Sequence, residues 1–155
     1  MSSRVDEVGQ AAADSLRATP PADPDCPFCR IASGAADAHL VASDEYCLAV
    51  LDASPAARGH TLVIPRAHVT DLWSADPEII AAVGRTCAVV ARQIRTRLRP
   101  DGLTLRQNNG EASGQRVFHL HVHLVPRWHG DGTVGWPWPP PPDVDPHDVL
   151  RELAP

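Results

Sequence analysis

Residues 117–125 read Val-Phe-His-Leu-His-Val-His-Leu-Val, a run in which three histidines alternate with aliphatic residues. A β-strand turns successive side chains to opposite faces, so the alternation predicts a strand that stops at Pro126. The aliphatic residues would face a core, and neighbouring imidazoles would lie about 7 Å apart on the other face. Imidazoles ligate metals and act as nucleophiles, so three on one face predict metal ligation, nucleophilic attack or both. The three histidines are His119, His121 and His123.

The bulk composition narrows the classes of protein to which the chain can belong. Its 155 residues suit one domain with its own core. No apolar run approaches the roughly 20 residues of a membrane helix, and no basic-then-apolar leader is present, so we expect no membrane partner and a cytoplasmic location. A net charge of -5 without a long basic patch argues against an extended nucleic-acid partner, though not against a small nucleotide.

The apolar pattern predicts one long helix among several strands. Apolar residues recur every three or four positions over 76–99, where Asp76-Pro77 supplies a helix start and Pro100 an end. Compact apolar runs predict strands, and a short closing helix is also expected. These elements fall at 46–51, 60–65, 103–108 and, for the helix, 146–153.

Composition divides the chain into three parts. Residues 1–24 lack sustained apolar periodicity and predict a mobile N-terminal arm. Residues 25–130 form the predicted domain. Residues 131–155 form a proline-rich C-terminal tail, whose four consecutive prolines at 139–142 favour an extended polyproline conformation.

The four cysteines suggest a metal rather than a disulfide framework. Cys26-Pro-Phe-Cys29 has the spacing of a metal or redox motif, and the irregular proline-rich stretch before it favours metal over a thioredoxin-like site. Cys47 and Cys87 stand alone in apolar surroundings and are predicted to be small buried residues.

The histidine run and three upstream stretches together resemble the histidine triad (HIT) superfamily, whose motif is His-φ-His-φ-His-φ-φ with φ apolar. The loop before the run reads Asn-Asn-Gly-Glu-Ala-Ser-Gly-Gln over 108–115, and Asp52 is followed by Gly-His-Thr-Leu-Val-Ile-Pro-Arg-Ala-His over 59–68. The cysteine pair is similar to the start of the zinc-containing bacterial branch of the family. The resemblance covers roughly 26–128. It implies an α+β fold, an antiparallel sheet of about five strands with one long helix packed on it, and a homodimer.

The resemblance also implies a nucleotide hydrolase or nucleotidyl transferase that attacks the α-phosphate of a purine nucleotide. Substrates such as nucleoside phosphoramidates and dinucleoside polyphosphates all present that phosphate. His121 would be the nucleophile, forming a nucleotidyl-histidine, and His123 would hydrogen-bond phosphate or leaving-group oxygens. The alternative is a non-catalytic nucleotide-binding or interaction module.

Further nucleotide contacts are implied residue by residue. Backbone N–H groups at Gly114 and Gln115 would hold developing negative charge. Asn108 matches a position beside the leaving group, and Asp52 one that hydrogen-bonds ribose hydroxyls. The chain departs from the family at Arg116, where Ser or Thr is common. Arg116 would either contact phosphate or face solvent.

The resemblance groups Cys26, Cys29, His68 and His119 as a structural zinc site of ordinary tetrahedral composition. The rival is a catalytic zinc on the three alternating histidines. On a straight strand the outer two would lie about 13 Å apart, too far to share one ion. His39 and His60 are spare candidates, and His60 is predicted to support the fold. His129 and His147 are predicted to lie at the surface.

Overall fold

A computed structural model describes residues 23–132 and 143–154 of the chain. Most of the predicted arm and the predicted polyproline run lie outside these residues. The helices are α1 (Pro27–Ala32), α2 (Pro77–Leu98) and α3 (Pro146–Leu153). The strands are β1 (Leu40–Ser43), β2 (Cys47–Leu51), β3 (Thr61–Pro65), β4 (Gly102–Arg106) and β5 (Val122–Arg127).

The strands form one antiparallel sheet in the order β1-β2-β3-β5-β4, with α2 packed on it. The predicted fold class is therefore confirmed. No helix within the described ranges combines the length and hydropathy needed to cross a bilayer.

The long helix α2 begins and ends where the sequence predicts. The Asp76 carboxylate accepts a hydrogen bond from the Glu78 backbone N–H at 2.9 Å, and Pro77 occupies the first turn. Arg99 then takes a left-handed conformation, with φ of 50°, and Pro100 cannot continue the helix. One stripe of α2 packs into the core beside Cys47, a stripe that includes the predicted residues Val83, Cys87, Val90 and Ile94.

Both faces of the central sheet are covered, since every residue of β2 and β3 is buried. The α2 face holds the larger core, to which α3 adds Val149 and Leu153. On the opposite face, Phe28 and Cys29 of α1, with Cys26 just before the helix, pack against alternate residues of β2 and β3. These partners are Val50, Leu62 and Ile64. Because Leu62 pairs with His123 across β3 and β5, His123 lies on the α1 face.

The prediction that all three histidines lie in one strand is wrong. The strand β5 starts at Val122, so His119 and His121 precede it. In this segment the Leu120 N–H donates to the Val69 carbonyl at 2.7 Å, which ties the chain to the loop after β3 instead of to a strand. The ring centroids of His121 and His123 lie 4.9 Å apart, so the two imidazoles are in contact.

Smaller differences concern two strand ends and one additional strand. β5 continues through Pro126 to Arg127 instead of stopping at the proline. Proline is accommodated there because β3 pairs with β5 only as far as Leu124. β4 ends at Arg106 instead of Asn108, and β1, a half-exposed edge strand, was not predicted.

The closing helix α3 has the predicted bounds and packs on α2 and β1. Glu152 on α3 forms an ion pair with Arg58 at 2.5 Å. The division of the chain into arm, domain and tail remains a prediction.

Candidate active site and metal centre

Four side chains from three parts of the chain meet beneath α1. Cys29 Sγ lies 3.1 Å from His68 Nδ1, and His119 Nδ1 lies 3.4 Å from Cys26 Sγ and 3.6 Å from Cys29 Sγ. All four ligand atoms lie within 4.8 Å of one another. A tetrahedral zinc with ordinary Zn–S and Zn–N bonds needs sulfur–nitrogen separations of about 3.5 Å. The predicted Cys₂His₂ set therefore has the donor types and spacing that fit zinc.

The ring of His119 is oriented for ligation by a backbone hydrogen bond. Its Nε2–H donates to the Pro65 carbonyl at 2.8 Å, which leaves the Nδ1 lone pair directed at the two sulfurs. The side chain is fully buried, and this burial lowers the pKa of His119 to about 4. His119 is therefore neutral at physiological pH, as a metal ligand must be.

His121 is the opposite tautomer to His119, with its ring proton on Nδ1. Its Nδ1–H donates to the backbone carbonyl of His119 at 2.8 Å, so the lone pair resides on Nε2. Burial is the main reason that the pKa of His121 is lowered, and the Phe28 and His121 rings make a T-shaped contact with centroids 5.1 Å apart. The ring is neutral and fixed in orientation. It lines the large cavity described below, where Nε2 is the nitrogen available for attack.

His123 is held by His60, a contact that the sequence analysis missed. The Ala56 N–H donates to His60 Nδ1 at 3.0 Å, so the proton of a neutral His60 ring resides on Nε2. His60 Nε2 lies 2.9 Å from His123 Nδ1 and donates to it. His123 must then carry its own proton on Nε2. Burial lowers the pKa of His60 to about 4 and that of His123 to about 3, so both rings are neutral.

Asp52 completes this cluster. Its Oδ2 lies 3.5 Å from His60 Nε2 and 3.8 Å from His123 Nδ1, while Oδ1 accepts from the Ser54 N–H at 2.7 Å. Burial raises the pKa of the Asp52 carboxyl. These three side chains could also be arranged around a metal. However, a metal on His60 Nε2 would move the ring proton to Nδ1, against the Ala56 N–H, so hydrogen bonding is the better description.

The loop before His119 is shaped by the Gln115 side chain. Its Oε1 accepts from the Gly110 N–H at 2.7 Å, and its Nε2 donates to the Thr70 and Val117 carbonyls at 2.7 and 3.1 Å. The side chain is thus used to fix the loop. The backbone N–H groups predicted to meet a phosphate are also bonded within the loop, Gly114 N–H to the Glu111 carbonyl at 2.8 Å and Gln115 N–H to the Gly110 carbonyl at 3.2 Å. The adjacent Gly114 has φ of 92°, a conformation that favours glycine.

A cavity of about 1290 Å³ opens over this face of the sheet. Its apolar wall includes Phe28, Ile31 and Val50 from α1 and β2, and His39 and His147 also line it. Five predicted site residues line it, namely Asp52, Gly114, Arg116, His121 and His123. The structure thus brings most of the predicted nucleotide site together.

Two predicted nucleotide contacts do not line the cavity. They are Gln115, described above, and Asn108, whose Oδ1 accepts from Arg106 Nε at 2.9 Å. Among the described residues, the three alternating histidines do not form a compact ligand set, which removes support for a catalytic zinc on them. His129 and His147 are exposed, as predicted.

Comparison with known proteins finds one family, both by its family model and by individual relatives. Residues 33–130 match the HIT domain family. Protein hit of Bacillus subtilis is 42% identical over 108 residues, covering 69% of this chain and 74% of the relative. The adenylylsulfatase HINT3 of Arabidopsis thaliana is 36% identical over 107 residues, which span 69% of this chain and 54% of the plant protein.

Solved structures agree with the sequence matches. A zinc-bound histidine triad family protein from Mycobacterium smegmatis superposes with a TM-score of 0.75 at 40% identity, covering 83% of this chain and 90% of that one. A HIT family hydrolase from Legionella pneumophila gives a TM-score of 0.61 at 28% identity, covering 74% of this chain and 100% of that one.

Proposed function

The chain belongs to the HIT family, and on that premise we propose that it is a nucleotide hydrolase or nucleotidyl transferase acting through a nucleotidyl-His121 intermediate. The single observation that carries this proposal is the orientation of His121. Its Nδ1–H is bound to the His119 carbonyl, so a neutral Nε2 is available at the cavity.

The proposed reaction has two displacements at phosphorus. His121 Nε2 attacks the α-phosphorus, a P–N bond forms, and the bond to the leaving group breaks with its electron pair on the departing atom. The positive charge that develops on the imidazole is stabilised by the carbonyl of His119 at Nδ1. Water or another acceptor then attacks phosphorus, the P–N electron pair returns to Nε2, and the acceptor's proton is taken up by the departed leaving group or by solvent.

The neighbouring groups bind the nucleotide. His123 presents Nε2–H as a donor to phosphate or leaving-group oxygens, because His60 fixes its tautomer. Asp52 accepts from ribose hydroxyls at the cavity wall. The Arg116 guanidinium faces the α-phosphate at the cavity wall, beside Gly114. The backbone N–H groups of Gly114 and Gln115 would exchange their hydrogen bonds to the Glu111 and Gly110 carbonyls for the phosphate. The apolar wall around Phe28 and Val50 accepts the purine.

The substrate class is a purine nucleoside 5′-phosphate with a leaving group on the α-phosphorus. Nucleoside phosphoramidates and dinucleoside polyphosphates both meet this description. HINT3 is described as an adenylylsulfatase, which adds an AMP–sulfate anhydride to the candidates.

Zinc has a structural role in this proposal. Cys26, Cys29, His68 and His119 would hold it, and the bound ion would tie α1 to the loops around the sheet. Because zinc would fix the position of His119, it would also hold the His119 carbonyl that accepts the hydrogen bond from His121 Nδ1.

We further propose a cytoplasmic homodimer. Within the described residues β4 is the unpaired edge of the sheet on the side of the histidines. Leu105 on β4 is 56% exposed, and Phe118 and Trp73 are also exposed, which is costly for a monomer. Analytical ultracentrifugation should give twice the monomer mass, and Leu105→Glu should shift the equilibrium to monomer.

Turnover and binding together separate an enzyme from a binding module. His121→Asn should abolish release of AMP from adenosine 5′-phosphoramidate while AMP binding, measured by calorimetry, stays within about threefold. The control is His129→Asn, because that side chain is 94% exposed and remote from the cavity. If wild type binds AMP without turning over any substrate, the module is the better account.

A further inference from the structure

Arg106 is a charged residue beside the histidines, and the proposed reaction does not use it. It ends β4 and pairs directly with His123 of β5. Directly opposed residues in an antiparallel pair share a face, with Cβ atoms about 5 Å apart. Burial chiefly lowers the pKa of His123, and the positive charge of Arg106 contributes to the same shift. The guanidinium therefore lies on the face that carries the proposed chemistry.

The strand order shows which end of a substrate Arg106 would meet. Asp52, the proposed ribose ligand, follows β2, and His60 precedes β3, so both lie on the β3 side of His123. Arg106 lies one strand away on the opposite side, at a spacing of about 4.8 Å. A nucleotide with its ribose at Asp52 and its α-phosphate at His121 would direct its leaving group across β5 towards β4.

The contact between Arg106 and Asn108 supports this placement. The Arg106 Nε–H donates to Asn108 Oδ1 at 2.9 Å, which fixes the side-chain amide and turns its Nδ2 donor away from the guanidinium. Asn108 is itself 9% exposed, so this orientation is held in a largely buried setting. A guanidinium held in place by this contact is a suitable partner for an oxyanion.

Resting on the proposed function, we propose that Arg106 determines leaving-group specificity by favouring anionic leaving groups bonded to the α-phosphorus through oxygen. When the P–O bond breaks, its electron pair stays on the departing oxygen, and negative charge grows where the guanidinium lies. An amine leaving group instead takes up a proton and departs uncharged or cationic, so it gains nothing from Arg106. The class selected is therefore sulfate, phosphate or polyphosphate.

The test compares two substrates that share the AMP moiety and differ in the leaving group. Arg106→Leu should lower kcat/KM for adenylyl sulfate by about tenfold or more, and that for adenosine 5′-phosphoramidate by less than threefold. Arg106→Lys, which keeps the charge, should recover part of the loss. Arg116→Leu is the matched comparison, because it removes an arginine beside the α-phosphate and should lower both substrates alike.

A binding measurement keeps this inference separate from the proposed function. With AMP bound, inorganic pyrophosphate should bind wild type about tenfold more tightly than Arg106→Leu by calorimetry. If wild type turns over neither substrate but shows this difference, the proposed function is wrong and the anion site stands. Equal losses of kcat/KM on both substrates, or equal pyrophosphate affinity in wild type and Arg106→Leu, would overturn the inference.

Discussion

Replacing His60 by leucine tests how the site is built. His60 is 1% exposed and joins the Ala56 N–H to His123 Nδ1 through its two ring nitrogens. His60→Leu leaves the buried Ala56 N–H without its acceptor, which costs about 1–3 kcal/mol. Urea unfolding, followed by tryptophan fluorescence, should show a loss of this size in the free energy of unfolding.

The same substitution should slow the reaction. Without the donor from His60, the His123 proton can move to Nδ1, towards Asp52, and the Nε2–H is lost from the cavity. Loss of one hydrogen bond to a charged phosphate group corresponds to about 10- to 100-fold in kcat. His123→Asn should lose at least as much, and the double variant no more than His123→Asn alone, because the two residues act as one unit.

The matched control is His129→Leu, which changes an exposed histidine outside the cavity lining and should leave kcat within about twofold. If His60→Leu folds and retains wild-type kcat while His123→Asn is impaired, His60 does not fix the His123 tautomer. Independent, additive losses in the double variant would contradict the reasoning equally.

Three further predictions concern zinc, pH and backbone. Cys29→Ser should lose about one zinc per chain and several kcal/mol of stability, whereas Cys47→Ala, on the other face of the sheet, should keep its metal by elemental analysis. Because the folded pKa of His60 is about 4 against an ordinary value of 6.5, the unfolded chain binds more protons between these pH values. Stability should therefore fall by about 2 kcal/mol from pH 7 to 5 through this residue, and less steeply in His60→Leu; equal slopes would exclude it. Gly114→Ala, at φ of 92°, should cost about 1–2 kcal/mol, and an unchanged unfolding midpoint would contradict this.

The sequence predicted the long helix and most of the sheet because their signals are local. Asp76-Pro77 and the apolar stripe define α2 within one segment. The start of β5 could not be found in this way. Alternation around His119 is as regular as around His123, yet a long-range bond from the Leu120 N–H to Val69 keeps the first part out of the sheet.

The site residues also differ in whether a local signal identifies them. The cysteines and the alternating histidines could be selected by spacing and by resemblance. The contacts of His60 and Arg106 could not, since both depend on which strands flank β5. The register pairs Leu62 of β3 and Arg106 of β4 with His123. His60, two residues before Leu62, and Arg106 therefore lie on opposite sides of His123.

The central claim is covalent attack by His121, and trapping the intermediate tests it most directly. Wild-type protein is mixed with adenosine 5′-phosphoramidate, quenched in base within the first turnover, digested and analysed by mass spectrometry. We predict an AMP adduct on the peptide that contains His121, located on that residue by fragmentation and absent from His121→Ala. Full turnover by His121→Ala, or an adduct located on His119 or His123, would contradict the account.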